Sequence, residues 1–169
     1  KGKEVDTKEV GEIIVRTTSN MIGYWNLPEE TKKTLKSGWL YTGDAGFMDE
    51  DGYIYVHDRV KDMIVSGGEN VYPAEVESAI FGHEMVSDVA VIGVPDKQWG
   101  EAVKALVVLK DNCETSEEDI INFTRQKIAG FKTPKSVDFI KELPRNPSGK
   151  ILKKELRKPY WKGFERAIN

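Results

Sequence analysis

Two dense apolar runs, Val86–Val94 and Ala102–Leu109, do most to restrict what this chain can fold into. They are separated by Pro95-Asp96-Lys97-Gln98-Trp99-Gly100. Runs this dense read as buried strands of one sheet, and they fall far short of the roughly 20 residues that a membrane helix requires. Helical signals flank them. Pro73 suits the first position of a helix, with Glu75 and Glu77 in its first turns and Val76, Ala79 and Ile80 facing inward. Thr115-x-x-Glu118 reads as a capping box that opens a helix to about Ala129. Ser136–Ile140 reads as a third strand, and Ile151–Lys158 as a last helix stopped by Pro159.

Upstream the texture differs. Gly11–Arg16 alternates as a short strand does, and Gly23-Tyr24-Trp25-Asn26 punctuates the chain. Leu27-Pro28-Glu29-Glu30-Thr31 leads into a helical stretch ending near Gly38, followed by strands at Trp39–Tyr41 and Tyr53–His57. Between these strands, Asp49-Glu50-Asp51-Gly52 is a hairpin turn signal. This part is too small to bury a core of its own. The expected class is α+β, with residues 1–60 a β-rich, barrel-like remnant and residues 61–169 a small domain whose short sheet is packed by helices.

Composition narrows the partners. With 39% apolar and 31% charged residues, the chain is an ordinary soluble globular protein by composition. Its net charge of -3 carries no polyanion-binding signal, although residues 131–169 hold 11 basic against 4 acidic side chains. That basic end reads either as a solvated helix face or as a surface that meets phosphates. A nucleic-acid partner is not expected, because aromatic stacking patches are lacking. The single cysteine, Cys113, excludes an internal disulfide and argues against a Cys-rich zinc site. His57 and His83 stand without a second ligand at metal-binding spacing, so no metal site is expected. No signal-peptide pattern opens the chain. The start Lys1-Gly2-Lys3-Glu4, without methionine, is expected of a cut inside a longer, cytoplasmic protein.

Common catalytic motifs are missing. Gly149-Lys150 is not a Walker A loop, because Pro144 and Ile151 occupy positions that need Gly and Ser or Thr. There is no GxGxxG, and nothing marks a nucleophilic serine. Three segments nevertheless hold more glycine and charge than packing requires. In Tyr41-Thr42-Gly43-Asp44, an acidic residue held on a tight turn after a strand could accept both ribose hydroxyls, or simply cap its own turn. In the stretch from Asp58 to Pro73, Arg59 offers a planar fork for phosphate or ribose oxygens. There, Gly67-Gly68 either admits a thin ligand against backbone or makes a hairpin turn. In Leu143-Pro144-Arg145-Asn146-Pro147-Ser148-Gly149-Lys150-Ile151, two prolines and a glycine shape a loop with Lys150 at its tip. Such a cation suits a phosphoryl or carboxylate oxygen, and the same position equally suits an ordinary exposed lysine.

Taken in order, these segments resemble the adenylate-forming superfamily, which includes acyl- and aryl-CoA synthetases, firefly luciferase and peptide-synthetase adenylation domains. Tyr41-Thr42-Gly43-Asp44 resembles its ribose-binding motif, Asp58-Arg59 through Glu77 its hinge and following loop, and Pro144–Lys150 its catalytic-lysine motif. Gly11-Glu12-Ile13 and Gly23-Tyr24 resemble the strand and turn before them. The resemblance covers essentially the whole chain. It implies ATP-dependent activation of a carboxylic acid, expected to be a fatty acid, to acyl-AMP, followed by thioester formation with coenzyme A. It further implies nucleotide contacts from Asp44 and Arg59, a hinge at Lys61, and catalysis by Lys150. Ser66, Gly67, Gly68 and Glu69 would line the pantetheine channel. The family's phosphate loop, Thr-Glu adenine-side motif and acyl pocket belong to an upstream region that this sequence lacks, and with them the Mg2+ site that accompanies ATP. The chain is thus expected to depend on a missing N-terminal domain and to be inactive alone. The competing expectations are a free-standing binding or regulatory module, and a luciferase-like or peptide-synthetase branch of the same superfamily.

Overall fold

The computed structural model describes residues 3–164; Lys1-Gly2 of the opening and 165–169 of the basic end lie outside the described residues. The chain divides into two compact units, Lys1–Lys61 and Asp62–Asn169.

In the first unit, β1 (Gly11–Val15), β2 (Leu35–Lys36) and β4 (Ile54–Arg59) all pair antiparallel with β3 (Trp39–Met48), and α1 (Pro28–Thr34) precedes β2. The helix expected to reach Gly38 stops at Thr34. Leu35 and Lys36 instead pair with Leu40 and Trp39 across Ser37-Gly38, whose φ values of 51° and 81° give the two left-handed positions of a tight hairpin. The strand expected to end at Tyr41 runs on to Met48, so Tyr41–Asp44 is strand rather than tight turn. The Asp49–Gly52 turn forms as read, with the Gly52 amide donating to the Asp49 carbonyl at 3.2 Å. Among the described residues of this unit only Ala45 and Gly46 are buried, while Ile22 and Trp25 are almost wholly exposed.

A single 3₁₀ turn at Val60–Asp62 leads into the second unit. Its strands are β5 (Ile64–Ser66), β6 (Glu69–Val71), β7 (Val86–Asp96), β8 (Gly100–Leu109) and β9 (Ser136–Phe139), in the order β6-β5-β8-β7 with β9 parallel to β8. Helices α2 (Pro73–Phe81), α3 (Glu117–Arg125) and α4 (Lys153–Arg157) pack on this sheet. The two apolar runs become one long antiparallel hairpin, in one register from Asp88 opposite Val108 to Asp96 opposite Gly100, with a bulge at Ser87 before Val86 pairs with Leu109. Their density has a physical cause, since both faces are covered. Val89, Val91, Val103, Ala105 and Val107 enter one core with Val76, Ile80 and Ile120 of α2 and α3. Ala90, Ile92, Val94, Ala102 and Leu106 enter a second with Leu143, Ile151, Leu156 and Tyr160.

Two sequence expectations shift. The capping box is Ser116 with Asp119, one residue later than read: the Asp119 amide donates to Ser116 Oγ at 3.1 Å, and the Asp119 carboxylate accepts from the Ser116 amide. Both frames satisfy the pattern, and the helix ends at Arg125 rather than Ala129. The last helix begins at Lys153 because Ile151 forms a β-bridge with Arg145 instead. Ile80, fully buried between α2 and the sheet, is a direct probe of this packing. Ile80→Ala should cost about 2–5 kcal/mol in urea unfolding, whereas Glu84→Ala, at an exposed position, should stay within about 0.5 kcal/mol.

Candidate active site

In the first unit the structure brings Asp44 and Arg59 together. They are directly opposed on β3 and β4, and Arg59 Nη1 lies 3.1 Å from Asp44 Oδ1. The same nitrogen donates to the Thr42 carbonyl at 3.0 Å, and Thr42 Oγ1 accepts from the Asp44 amide at 3.1 Å. Gly43, at φ 72°, is the left-handed residue that lets the strand carry this arrangement, with its amide donating to Glu12 Oε1. Both charged side chains remain more than a third exposed, at 37% and 40%. The ion pair therefore adds little stability and leaves carboxylate oxygens and guanidinium N–H groups accessible to a polar ligand.

In the second unit, Lys150 is exposed at the tip of a loop built from its own side chains. Asn146 Oδ1 accepts from the Ser148 amide, Ser148 Oγ and the Lys150 amide at 3.1, 2.8 and 2.8 Å. Arg145 donates to the Gly149 carbonyl and to Asp88 Oδ2, each at 2.6 Å, fastening the loop to the start of β7. Among the described residues Lys150 has no ion-pair partner, whereas neighbouring Lys153 is committed to Glu77 at 2.7 Å. Downstream, Tyr160 donates a very short hydrogen bond to Asp138, which also takes Lys104 Nζ at 2.6 Å. Lys104 sits within the apolar run of β8, and this carboxylate is what makes its burial tolerable. Partial burial and then the Asp138 hydrogen bond push the Tyr160 phenol up to about 12. Burial works to raise the Asp138 carboxyl, but hydrogen bonds from Lys104 and Tyr160 outweigh it and hold the group below its ordinary value.

Ser66, Gly67, Gly68 and Glu69 form one β5–β6 hairpin, with Ser66 opposite Glu69. The Gly67 amide donates to the Trp99 carbonyl at 2.9 Å. A Cβ at Gly67 would lie 2.6 Å from Trp99 Cε3, and φ there is 61°, so glycine is required by the fold itself, whatever ligand passes. Gly68 instead faces open space and lines a groove of about 700 Å³ with Val65, Pro95, Asp96, Trp99 and Trp161. Sequence reasoning misses the aromatic walls of this groove; a bulky Trp99 inside an otherwise polar turn is the signal that could find them. It also misses Asn146, Arg145 and Asp88 as the scaffold of the lysine loop.

The two features occupy opposite ends of the β7–β8 hairpin. The lysine loop is fastened at Asp88 and the glycine hairpin at Trp99, beside the Asp96–Gly100 end. Eight residues of strand at about 3.3 Å each separate Asp88 from Asp96, roughly 26 Å.

Residues 75–150, which run from the first turn of α2 to Lys150, match the AMP-binding enzyme C-terminal domain. These residues carry the AMP-binding enzyme C-terminal domain, and the solved structures that the chain resembles are adenylate-forming enzymes. It is 46% identical over 168 residues to the fatty acid–[acyl-carrier-protein] ligase ScoC of Streptomyces coeruleorubidus, covering 99% of this chain and 32% of that one. It is 51% identical over 148 residues to a long-chain-fatty-acid–CoA ligase of Bacillus subtilis, covering 88% and 26%. The crystal structure of ATP-bound MatB from Rhodopseudomonas palustris superposes with a TM-score of 0.86 at 39% identity, over 98% of this chain and 33% of that chain. The chain thus spans about a quarter to a third of the length of the relatives it matches.

Two measurements check the local architecture of this domain. Asn146→Ala removes three accepted hydrogen bonds, so amide hydrogen exchange at Ser148 and Lys150 should accelerate while β7 and β8 stay protected. For Tyr160, the raised phenol contributes stability that is complete below its ordinary value of 10.0 and lost as pH rises through about 12. For Asp138, the lowered carboxyl contributes stability that is present above its ordinary value of 3.8 and lost as pH falls. Tyr160→Phe should abolish that alkaline loss and raise the Asp138 carboxyl only part of the way, since Lys104 still holds it down, read from unfolding as a function of pH.

Proposed function

We propose that this chain is the C-terminal portion of an ATP-dependent acid–CoA ligase that forms acyl-AMP and then an acyl thioester. Residues 1–60 are read as the end of its large AMP-binding domain and residues 61–169 as the mobile small domain. The observation that carries this reading is the placement of an exposed lysine and a glycine hairpin at opposite ends of one β7–β8 ribbon. Such a body can offer either end to a single reaction centre, using one site for two successive steps.

In the first step, the Asp44 carboxylate accepts hydrogen bonds from the ribose hydroxyls and Arg59 donates to the ribose-phosphate side. Lys150 is the cation directed at the carboxylate and α-phosphate as negative charge grows there. Lys61, in the 3₁₀ turn between the units, is the hinge. Rotation about it withdraws Lys150 and presents the Ser66–Glu69 hairpin and the groove at Gly68, whose aromatic walls suit the narrow pantetheine arm. The Mg2+ that accompanies ATP is assigned to the upstream domain. No helix among the described residues is long and apolar enough to cross a membrane. With ATP and coenzyme A as co-substrates, the cytoplasm is the compartment we assign to the reaction. A fatty acid is the proposed acyl group, since the ScoC and Bacillus subtilis relatives both bear fatty acids in their names.

The 169-residue chain alone should show no acid-dependent ATP–pyrophosphate exchange; robust turnover by it would refute the dependence on an upstream domain. In the longer ligase, Lys150→Ala should slow adenylate formation by about 10²–10³, equivalent to about 3–4 kcal/mol, by analogy with a lost oxyanion donor. Thioester formation from supplied acyl-AMP should survive. Equal loss of both steps, with folding intact, would contradict the assignment.

A further inference from the structure

The segment that joins the units is tied to a distant helix by a buried ion pair. Arg157 Nη1 on α4 lies 2.9 Å from Asp62 Oδ1, with side chains only 10% and 13% exposed. Arg157 Nη2 also approaches the Asp62 carbonyl at 3.5 Å. Asp62 directly follows Lys61 and closes the 3₁₀ turn, and Arg157 follows Lys150 by a single loop and helix. A buried pair is costly to desolvate and is weak evidence for stability. This helix does not need it for attachment, because Lys153 already holds α4 to Glu77 on α2, and Leu156 packs against the second core. What the pair alone does is fasten the first residue of the second unit to the helix that follows the lysine loop.

We propose that Arg157 is a positioning residue: by clamping Asp62 it confines rotation to the backbone of Val60 and Lys61, so that the second unit turns as one body and delivers Lys150 to a reproducible place. The proposal rests on the hinge reading above. Without the clamp, Asp62 and Met63 also flex, and the pivot spreads along the chain. Adenylate formation, which depends on where one ammonium lands, is then more sensitive than thioester formation, which needs an open channel.

The test compares Arg157→Gln, Asp62→Asn and the double variant in the full-length ligase. A single substitution strands a buried charge and lowers the melting temperature; the double variant strands none and should recover most of that stability. Adenylate formation should nevertheless stay about 10- to 10²-fold down in all three, since none of them keeps the charged pair that closes the clamp. Transfer from supplied acyl-AMP should change by at most about threefold. Recovery of adenylate formation in step with the melting temperature would overturn the proposal, as would equal loss of both steps. Hydrogen exchange on the same proteins gives a readout independent of activity: faster exchange confined to residues 60–63 supports the clamp, and acceleration spread through β7 and β8, or none at 60–63, overturns it. If the unaltered enzyme formed no acyl-AMP, the ligase reading would fail and the exchange pattern would still decide the clamp.

Discussion

Everything in the second unit leans on the β7–β8 hairpin, whose side chains alternate into two separate cores. One face binds α2 and α3, and the other binds the lysine-loop segment and the chain beyond α4. β5 meets β8 at Gly100, and β9 runs parallel to it from Lys104 to Val107. A one-residue slip would exchange the side chains of the two cores, so the register from Asp88 to Asp96 is strongly specified. That rigidity is what allows features at its two ends to act as parts of one body.

Charge does the fastening. Arg145 with Asp88, Lys153 with Glu77, and Arg157 with Asp62 lash the 145–157 segment to β7, α2 and the joining turn. Lys104 with Asp138 and Tyr160 secures the chain beyond it. The basic end of the sequence, ambiguous as composition, is thereby resolved in part: Arg145, Lys153 and Arg157 are spent on internal pairs, and Lys150 is left exposed among them.

The class of fold and the family are legible in the sequence because their signals are local or ordered along the chain. The runs at Val86–Val94 and Ala102–Leu109 need no context to read as buried strands, and the motifs around Asp44, Arg59 and Lys150 occur in the order the family requires. Element ends are less legible. Thr115 and Ser116 offer overlapping capping frames, and only backbone geometry selects the second. Gly43 suggests a turn at Asp44, but its positive φ is absorbed within a continuous strand. Gly67 suggests room for a ligand, whereas the contact that excludes a side chain there is Trp99 of the same unit. The pairing of Asp62 with Arg157 spans 95 positions, and no periodicity or motif spacing reports a contact at that range.

The central claim, that opposite ends of the β7–β8 hairpin serve successive steps, is open to a direct distance measurement. In the full-length enzyme with Cys113→Ser, a spin label at Thr18→Cys in the first unit is paired either with Asp111→Cys, just beyond the Leu109 end of the hairpin, or with Gln98→Cys at its turn. Pulsed electron resonance is recorded with ATP and acid, and then with a non-hydrolysable acyl-adenylate and coenzyme A. Rotation about residue 61 requires both distances to change between the two states, one shortening as the other lengthens. Distances that stay the same in both states, with both half-reactions active, would contradict it.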